Sequence, residues 1–476
     1  MSSTTVLPLE DILPGLEPRL EQLVINERLP GLMVGIVIDQ DLAWSQGFGT
    51  RDLATGEPAD RHTLHRVASI TKTLTTTAIL QLRDRRLLAL DDPLTGHLPE
   101  FSQARAVEGS HEQVTLRRLL THRSGLVTET PLPTWTSSEF PSREQILAAL
   151  PETEIVLPAD HAFKYSNLAF GLLGEVIARI SGQSYFEYVQ QHILEPLGMT
   201  DSVYELTDDT RQSMAIGYSP ELFRDETTPA AYVSLGGVAA CGGLHSNVAD
   251  LARWIAFQFR TRPQDGTADA VLAPTTLDEF HQPQYSEPDW SAAQCLGWRS
   301  LRVGNNVYHG HGGGIFGFSS QVLFSKQHRI GAIALANLWP YPMIQSVTVQ
   351  ILERLLGNPD PPPLSPPPAV PNTHPITRPC VPGDDDPTSL LAGLYVADPG
   401  VPVHIESRGG HLRLVLSPLW PYPLHAGGVL EPTDKALVFR VRGGRGAGEL
   451  AVFESGEDRS PTRFTLGGFL YRRVMA

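Results

Sequence analysis

Two residues near position 70 have the types and spacing of a nucleophile and its base. Ser69 and Lys72 lie three residues apart, at the start of an apolar run to Leu90 that is predicted to form one helix, ended by Asp91-Asp92-Pro93. In a helix this spacing places the hydroxyl and the amine on the same face. A serine hydroxyl needs a neighbouring base to take its proton, and a lysine can act as that base only if burial lowers its pKa. The pair therefore indicates acyl transfer through a serine, with a capping serine beside a solvated lysine as the alternative.

The chain uses lysine rarely, which gives weight to this pair. Only four of its 37 basic residues are lysines, and arginine supplies the other positive charges. With ordinary serine usage, a serine three residues before one of four lysines arises by chance roughly one time in four. The pair is therefore suggestive, and the rest of the chain must support it.

A second candidate is Tyr165-Ser166-Asn167, the only Y-x-N sequence in the chain. A phenol beside a lysine ammonium can be held ionised or can share its proton, so Tyr165 could act as both acid and base. The alternative is a buried tyrosine that forms a hydrogen bond at the start of a helix.

A third candidate is the glycine-rich segment 309–314, with the sequence H-G-H-G-G-G. Glycines let a substrate backbone approach closely and leave N–H groups free to bind an oxyanion, which singles out His311, Gly312, Gly313 and Gly314. The alternatives are a flexible turn or a metal site. The metal site is disfavoured because no third metal-ligating residue lies near the two histidines in the sequence.

The surrounding periodicity predicts an α+β fold. A β-rich hairpin over 32–48 is followed by mostly helical segments, among them 167–180 and 248–257, and then by short strands between 297 and 338 and a helix over 341–356. This order predicts an antiparallel sheet built from both ends of the region, flanked by helices and interrupted by a helical subdomain. We assign residues 1–357 to this domain.

The C-terminal part has a different pattern. Residues 358–388 are rich in proline and are predicted to form a linker. Residues 389–476 alternate apolar and polar positions in short runs, which predicts a small antiparallel β-barrel.

Composition excludes several classes of protein. The chain has 476 residues, 41% of them hydrophobic, which is typical of a globular protein. Its net charge of 37 minus 52, or −15, disfavours nucleic acid and anionic membranes as partners. The three cysteines lack zinc-ligand spacing. The N-terminus lacks the pattern of an export signal, so the expected location is the cytoplasm.

Taken in order, the stretches with Ser69, Tyr165 and His311 resemble the three motifs of the serine β-lactamase and penicillin-binding-protein superfamily. Over about residues 10–357 the chain is most similar to the class C β-lactamase-like branch, which includes family VIII carboxylesterases and D-aminopeptidases. Supporting segments are Leu119-Leu120-Thr121-His122-Arg123-Ser124-Gly125-Leu126, Ala240-Cys241-Gly242-Gly243-Leu244 and Gly317-Phe318-Ser319.

The resemblance implies a role for each candidate residue. Ser69 would be the acylated nucleophile, Lys72 and Tyr165 the base system, and Asn167 a residue that binds substrate and positions Lys72. His311-Gly312-Gly313 matches the third motif, which is usually lysine-threonine-glycine in true β-lactamases. The N–H groups of Ser69 and Gly314 would form the oxyanion hole, and no metal or organic cofactor would be needed.

The histidine of the third motif changes the expected substrate. A lysine there is a permanent cation suited to a substrate carboxylate, whereas a histidine is only partly charged near neutral pH. We therefore expect a small-molecule ester, or an amide or peptide in the alternative cases of a D-aminopeptidase, a D-stereospecific amidase or a β-lactamase. From a different class, a penicillin-binding receptor or a binding module without turnover would carry the same fold.

The C-terminal part resembles the lipocalin-like barrels appended to some members of this branch, with Leu391-Ala392-Gly393-Leu394-Tyr395 as its opening. In such relatives the barrel borders the active-site cleft or carries contacts between subunits, so a homo-oligomer is one expectation. Residues 420–423 are a candidate for reaching the cleft, with barrel core or rim as the alternative.

Overall fold

The computed structural model describes residues 6–137, 139–221, 226–260, 271–341, 343–358, 390–397, 401–408, 411–416, 428–444, 446–456 and 461–474. The predicted linker, apart from Asn358, and residues 420–423 lie outside these ranges. By their packing the described residues form two compact units. Unit 1 takes its residues from Met1–Asp91 and Phe170–Pro363, and unit 2 from Asp92–Ala169 and Leu364–Ala476. The barrel sequence is thus packed in one unit with residues from the middle of the chain.

The helices and strands of the described residues carry the following bounds. The helices are α1 (Leu9–Asn26), α2 (Thr71–Asp84), α3 (Leu94–His97), α4 (Leu116–Leu120), α5 (Arg143–Ala148), α6 (Asn167–Ser181), α7 (Tyr185–Val189), α8 (Glu195–Leu197), α9 (Asp208–Gln212), α10 (Val248–Gln258), α11 (Pro274–Phe280) and α12 (Ile344–Leu355). The strands are β1 (Gly31–Ile38), β2 (Asp41–Gly49), β3 (His65–Arg66), β4 (Arg105–Ala106), β5 (Glu154–Ile155), β6 (Tyr218–Pro220), β7 (Thr227–Pro229), β8 (His245–Ser246), β9 (Tyr285–Ser286), β10 (Ala292–Gln294), β11 (Arg299–Val303), β12 (Asn306–Ile315), β13 (Phe318–Ser325), β14 (Ile330–Ala336), β15 (Gly393–Ala397), β16 (Val401–Arg408), β17 (His411–Leu416), β18 (Gly428–Pro432), β19 (Val438–Arg442), β20 (Leu450–Ser455), β21 (Pro461–Leu466) and β22 (Phe469–Arg473).

Unit 1 is built on an eight-stranded antiparallel sheet in the order β2-β1-β14-β13-β12-β11-β10-β9. The N-terminal strand β1 pairs with β14 from the other end of the region, so that Leu32 lies opposite Ala336. β1 is buried along almost its whole length, as expected for a continuous apolar run. The predicted sheet from both ends of the region, with helices between them, is confirmed.

Helices cover this sheet because each buries an apolar stripe. In α1 the buried positions Ile12, Leu16, Leu20 and Val24 recur every four residues, although Pro14 and Pro18 lie inside the helix. α10 packs against β1, and α12 packs against β13 and β14. The apolar run after Ser69 is not one helix to Leu90, because α2 ends at Asp84.

Unit 2 combines α3, α4, α5 and the β4–β5 pair with a closed barrel of eight antiparallel strands, β15 to β22. β22 returns to pair with β15 and closes the barrel. Its interior contains an aromatic cluster in which Tyr395 meets Phe464 edge to face and Phe464 stacks on Tyr471. The predicted all-β barrel is confirmed.

Candidate active site

Ser69 lies in a short 3-10 turn, Ala68–Ile70, directly before α2. Between residues 63 and 82, Ser69 is partly exposed and all the remaining residues are buried. The preceding Ala68 has a φ of 47°, in the left-handed region that costs a residue with a side chain about 1–2 kcal/mol. The turn therefore presents one hydroxyl from a buried, constrained backbone.

Lys72 lies about one helical turn after Ser69 in the sequence, and its side chain is fully buried. Its Nζ donates to Ser69 Oγ at 3.0 Å and to the carbonyl oxygen of Cys241 at 2.7 Å. The Nζ also lies 5.4 Å from the centre of the Phe170 ring. The amine is thus within direct hydrogen-bonding distance of the candidate nucleophile, as their spacing predicts.

The helix that carries Lys72 is buried even though it contains five threonines. Their hydroxyls bond to backbone carbonyls three or four residues earlier, which a threonine side chain in a helix can reach. Thr71 donates to Ala68, for example, and Thr76 donates to the carbonyl of Lys72 itself. These bonds satisfy the polar groups of a helix that is surrounded by protein, and they fix the turn before it.

The glycine-rich segment is part of strand β12 rather than a turn. A Cβ on Gly313 would lie 2.2 Å from the carbonyl oxygen of Val67 and 3.0 Å from the Cβ of Ala68. From β13, Ser320 Oγ donates to the same Val67 carbonyl at 2.8 Å. Glycine is therefore required because the strand passes directly against the turn that holds Ser69.

His311 is buried on this strand, and its Nδ1 donates to the carbonyl oxygen of Gly312 at 2.7 Å. Burial, reinforced by the charge of Lys72, lowers the pKa of His311 to about 3. The ring is therefore neutral at pH 7. His309 belongs to a separate buried group and shares a hydrogen bond with Ser300 Oγ.

Tyr165 and Asn167 lie in unit 2, where His122 and Glu129 hold them. The rings of Tyr165 and His122 pack with centres 4.3 Å apart, and His122 Nδ1 accepts the backbone N–H of Ser166 at 3.1 Å. Asn167 Nδ2 donates to Glu129 Oε1 at 2.6 Å. No sequence pattern predicts a role for Glu129, whereas His122 lies in the Thr-His-Arg-Ser-Gly segment that supports the family resemblance.

The predicted residues therefore fall into two groups. Ser69, Lys72, His311 and Gly312–Gly314 lie in unit 1. Within that unit Ser69 contacts Lys72, and the β12–β13 hairpin contacts the Ser69 turn. Tyr165 and Asn167 belong to unit 2, where Tyr165 packs on His122 and Asn167 forms hydrogen bonds with Glu129 and Thr128.

Comparison with known proteins identifies the family of this chain. The Beta-lactamase family model matches residues 16–353, which is well over half of the chain. The chain therefore belongs to the Beta-lactamase family, within the superfamily of serine β-lactamases and penicillin-binding proteins. This membership places it among serine hydrolases.

Two curated proteins are similar to part of this chain. Protein flp of Staphylococcus aureus strain N315 is 28% identical over 322 residues, which cover 65% of this chain and 60% of that protein. Beta-lactamase-like protein 2 of Dictyostelium discoideum is 30% identical over 264 residues, which cover 54% of this chain and 46% of that protein. The chain thus spans only about 60% of the length of Protein flp.

Two solved structures share the fold. The octameric penicillin-binding protein homologue from Pyrococcus abyssi has a TM-score of 0.63 at 22% identity and covers 97% of this chain and 99% of its own. A mutant class C beta-lactamase has a TM-score of 0.62 at 22% identity and covers 72% of this chain and 97% of its own. No helix among the described residues is long and apolar enough to cross a membrane.

Proposed function

We propose that this protein hydrolyses esters of small molecules through an acyl-enzyme on Ser69. The observation that carries the proposal is the 3.0 Å hydrogen bond between Ser69 and the buried Lys72, with Ser69 the one partly exposed residue of its segment. Tyr165 completes the base system, and Asn167 binds substrate and positions Lys72. The assignment of residues 1–357 to the hydrolase domain, 358–388 to a linker and 389–476 to the barrel is part of this proposal.

The reaction would proceed in two steps. Ser69 Oγ attacks the carbonyl carbon while its proton passes to the Lys72–Tyr165 pair, and the N–H groups of Ser69 and Gly314 hold the resulting oxyanion. Collapse of this intermediate breaks the ester bond, and the alcohol leaves with the proton. Water then attacks the acyl-enzyme, with the same pair as its base, and releases the acid.

The preference for esters rests on His311. A neutral ring in the third motif supplies no fixed cation for a substrate carboxylate. Because β-lactams and peptide C-termini carry such a carboxylate, their binding would lose an ion pair. The second candidate is a D-aminopeptidase or D-stereospecific amidase, whose substrates can be neutral at this position. A β-lactamase or a receptor that stays acylated ranks below both.

Intact-mass spectrometry over time tests the proposal. The protein is mixed separately with a short p-nitrophenyl ester, a D-alanine p-nitroanilide and benzylpenicillin, and Ser69→Ala is the control. We expect an adduct on Ser69 that forms and clears fastest with the ester. Faster clearance with the anilide would assign an amidase, and a persistent penicillin adduct would assign a receptor. An adduct that remains in Ser69→Ala would refute the nucleophile.

A homo-oligomer is a further part of the proposal, since the similar Pyrococcus abyssi protein is described as octameric. Light scattering coupled to size-exclusion chromatography would report a multiple of the 52.0 kDa chain mass. A mass of one chain at micromolar concentration would contradict it.

A further inference from the structure

A buried ion pair connects the barrel to the residue before Tyr165. Lys164 Nζ contacts Glu449 Oε1 at 2.5 Å, and their side chains are 0% and 7% exposed. Lys164 directly precedes Tyr165, and Glu449 directly precedes β20 of the barrel. The two residues are 285 positions apart, so this contact is made only when the barrel has docked.

The same carboxylate also holds the loop beside Tyr165. The backbone N–H of Thr128 donates to Glu449 Oε1 at 2.8 Å, and Lys164 Nζ donates to Thr128 Oγ1 at 3.1 Å. The carbonyl of Thr128 in turn accepts the N–H of Asn167 at 2.8 Å. Glu449 is therefore connected to both sides of the Tyr165–Asn167 segment.

The charge state of Glu449 suits this role. Burial by itself raises the pKa of the carboxyl, but the Lys164 ammonium and the hydrogen bonds from Thr128 outweigh burial and lower it. The group is a carboxylate at neutral pH. Moving it away would leave the ammonium of Lys164 buried without this counter-ion, which is strongly unfavourable.

A second barrel contact reaches Asn167 by another route. Phe469 stacks on Trp135 with ring centres 5.3 Å apart and planes 2° apart. Trp135 Nε1 donates at 2.9 Å to Glu129 Oε1, the atom that also accepts from Asn167 Nδ2. Gly468, with a φ of 79°, brings the β21–β22 turn so close that a Cβ there would lie 2.9 Å from Glu129 Cγ.

We propose that Glu449 and Phe469 of the barrel are positioning residues for Tyr165 and Asn167, so that the barrel is a working part of the catalytic apparatus. The inference rests on the proposed function of Tyr165 and Asn167. It assigns the barrel a task in the acyl-transfer reaction, whichever ester or amide is the substrate. Two independent chains of contact, one ionic and one aromatic, end on the same three-residue segment.

The test compares Glu449→Gln and Phe469→Ala with Glu454→Gln. Glu454 is a matched control because its ion pair with Arg463 is exposed and lies within the barrel. The rate of Ser69 acylation by the p-nitrophenyl ester is measured by rapid-quench mass spectrometry from pH 6 to 10. We expect Glu449→Gln and Phe469→Ala to slow acylation at least tenfold and to alter its pH profile, and Glu454→Gln to stay within twofold of wild type.

A purely structural role would give a different result. In that case Glu449→Gln would lower the melting temperature but leave the acylation rate and pH profile of the folded protein unchanged, which would overturn the proposal. The double variant Lys164→Met/Glu449→Leu removes both charges together. If the two single substitutions acted independently, the acylation rate of the double variant would reflect the product of their separate effects. We expect the double variant to acylate faster than that product predicts, and a rate equal to it would count against the ionic route.

Hydrogen exchange separates this inference from the proposed function. Amides of 163–168 should exchange faster in Glu449→Gln than in wild type, whether or not Ser69 is the nucleophile. If wild type is never acylated but this exchange rises, the proposed function fails and the positioning contact stands. If wild type is acylated and Glu449→Gln changes neither the acylation rate nor the amide exchange, the inference alone fails.

Discussion

Two of the four lysines are buried, and their surroundings differ in kind. In unit 1 the ammonium of Lys72 donates to a hydroxyl and a carbonyl, both neutral oxygens. In unit 2 the ammonium of Lys164 meets the carboxylate of Glu449. A carboxylate stabilises a neighbouring ammonium and opposes loss of its proton, whereas a hydroxyl and a carbonyl bring no such negative charge. We therefore expect Lys72 to serve the proposed proton transfer and Lys164 to hold the segment beside Tyr165 in place.

The largest effect is expected at Lys72. Lys72→Met removes the proposed base, and loss of a positioned base lowers rates by about 10²–10⁴-fold. We expect acylation of Ser69 to fall by that factor while the folded state persists, measured by intact mass and circular dichroism. Lys435→Met, which changes an exposed lysine, is the control. Acylation at the wild-type rate in Lys72→Met would remove the base assignment.

Lys164→Met should lower stability in addition to slowing acylation. Breaking a buried ion pair by removing one partner costs about 3–5 kcal/mol, because the other charge remains buried. We expect urea unfolding to show this loss, and Lys164→Met/Glu449→Leu to recover much of it. If Lys164→Met unfolded at the wild-type urea concentration, the pair would not be the structural element that the contrast with Lys72 requires.

Gly313→Ala tests whether the geometry around Ser69 and Lys72 depends on close packing against strand β12. The added Cβ would meet the carbonyl of Val67 at 2.2 Å, so the Ser69 turn or the strand must move. Because a shift of about 1 Å at a reacting group can cost 100-fold, we expect acylation to fall at least tenfold. Gly15→Ala is the matched control, since no atom lies within 4 Å of its added Cβ. Equal rates in both variants would contradict the close packing.

As the pH falls, unit 1 should lose stability at a higher pH than the Lys164–Glu449 pair of unit 2 does. Burial lowers the pKa of His65 and His309 to about 4 and of His245 and His311 to about 3. Unfolded histidines bind a proton near pH 6.5 and these folded ones do not, so each removes up to ~1.4 kcal/mol of stability per pH unit as pH falls below 6.5. The lowered pKa of Glu449 removes stability only below its unfolded value of 4.5.

Urea unfolding at pH 8, 6.5 and 5 measures this dependence. We expect little change between pH 8 and 6.5 and a clear loss by pH 5. His309→Asn should reduce the slope, because one of the buried titrating groups is removed. A flat profile from pH 8 to 5 would mean that these rings take up protons equally in the folded and unfolded protein, which would contradict their lowered pKa values.

Much of the fold was predictable because its elements are local patterns. The continuous apolar run of β1 and the alternation of the barrel strands each specify an element within a few residues. The three-residue spacing of Ser69 and Lys72 likewise specifies their contact, since one helical turn brings them together. The predicted helix to Leu90 was too long, because buried Leu88 and Leu90 continue the apolar pattern after the helix has ended.

The sequence by itself thus determined the element types, the contact between Ser69 and Lys72, and the family. Only the tertiary structure decided that Gly313 must accommodate Val67, that His311 is neutral, and that Lys164 finds Glu449 among 52 acidic residues. These facts depend on contacts between segments far apart in the chain. Local periodicity fixes which residues a segment buries, but it carries no information about which distant segment covers them.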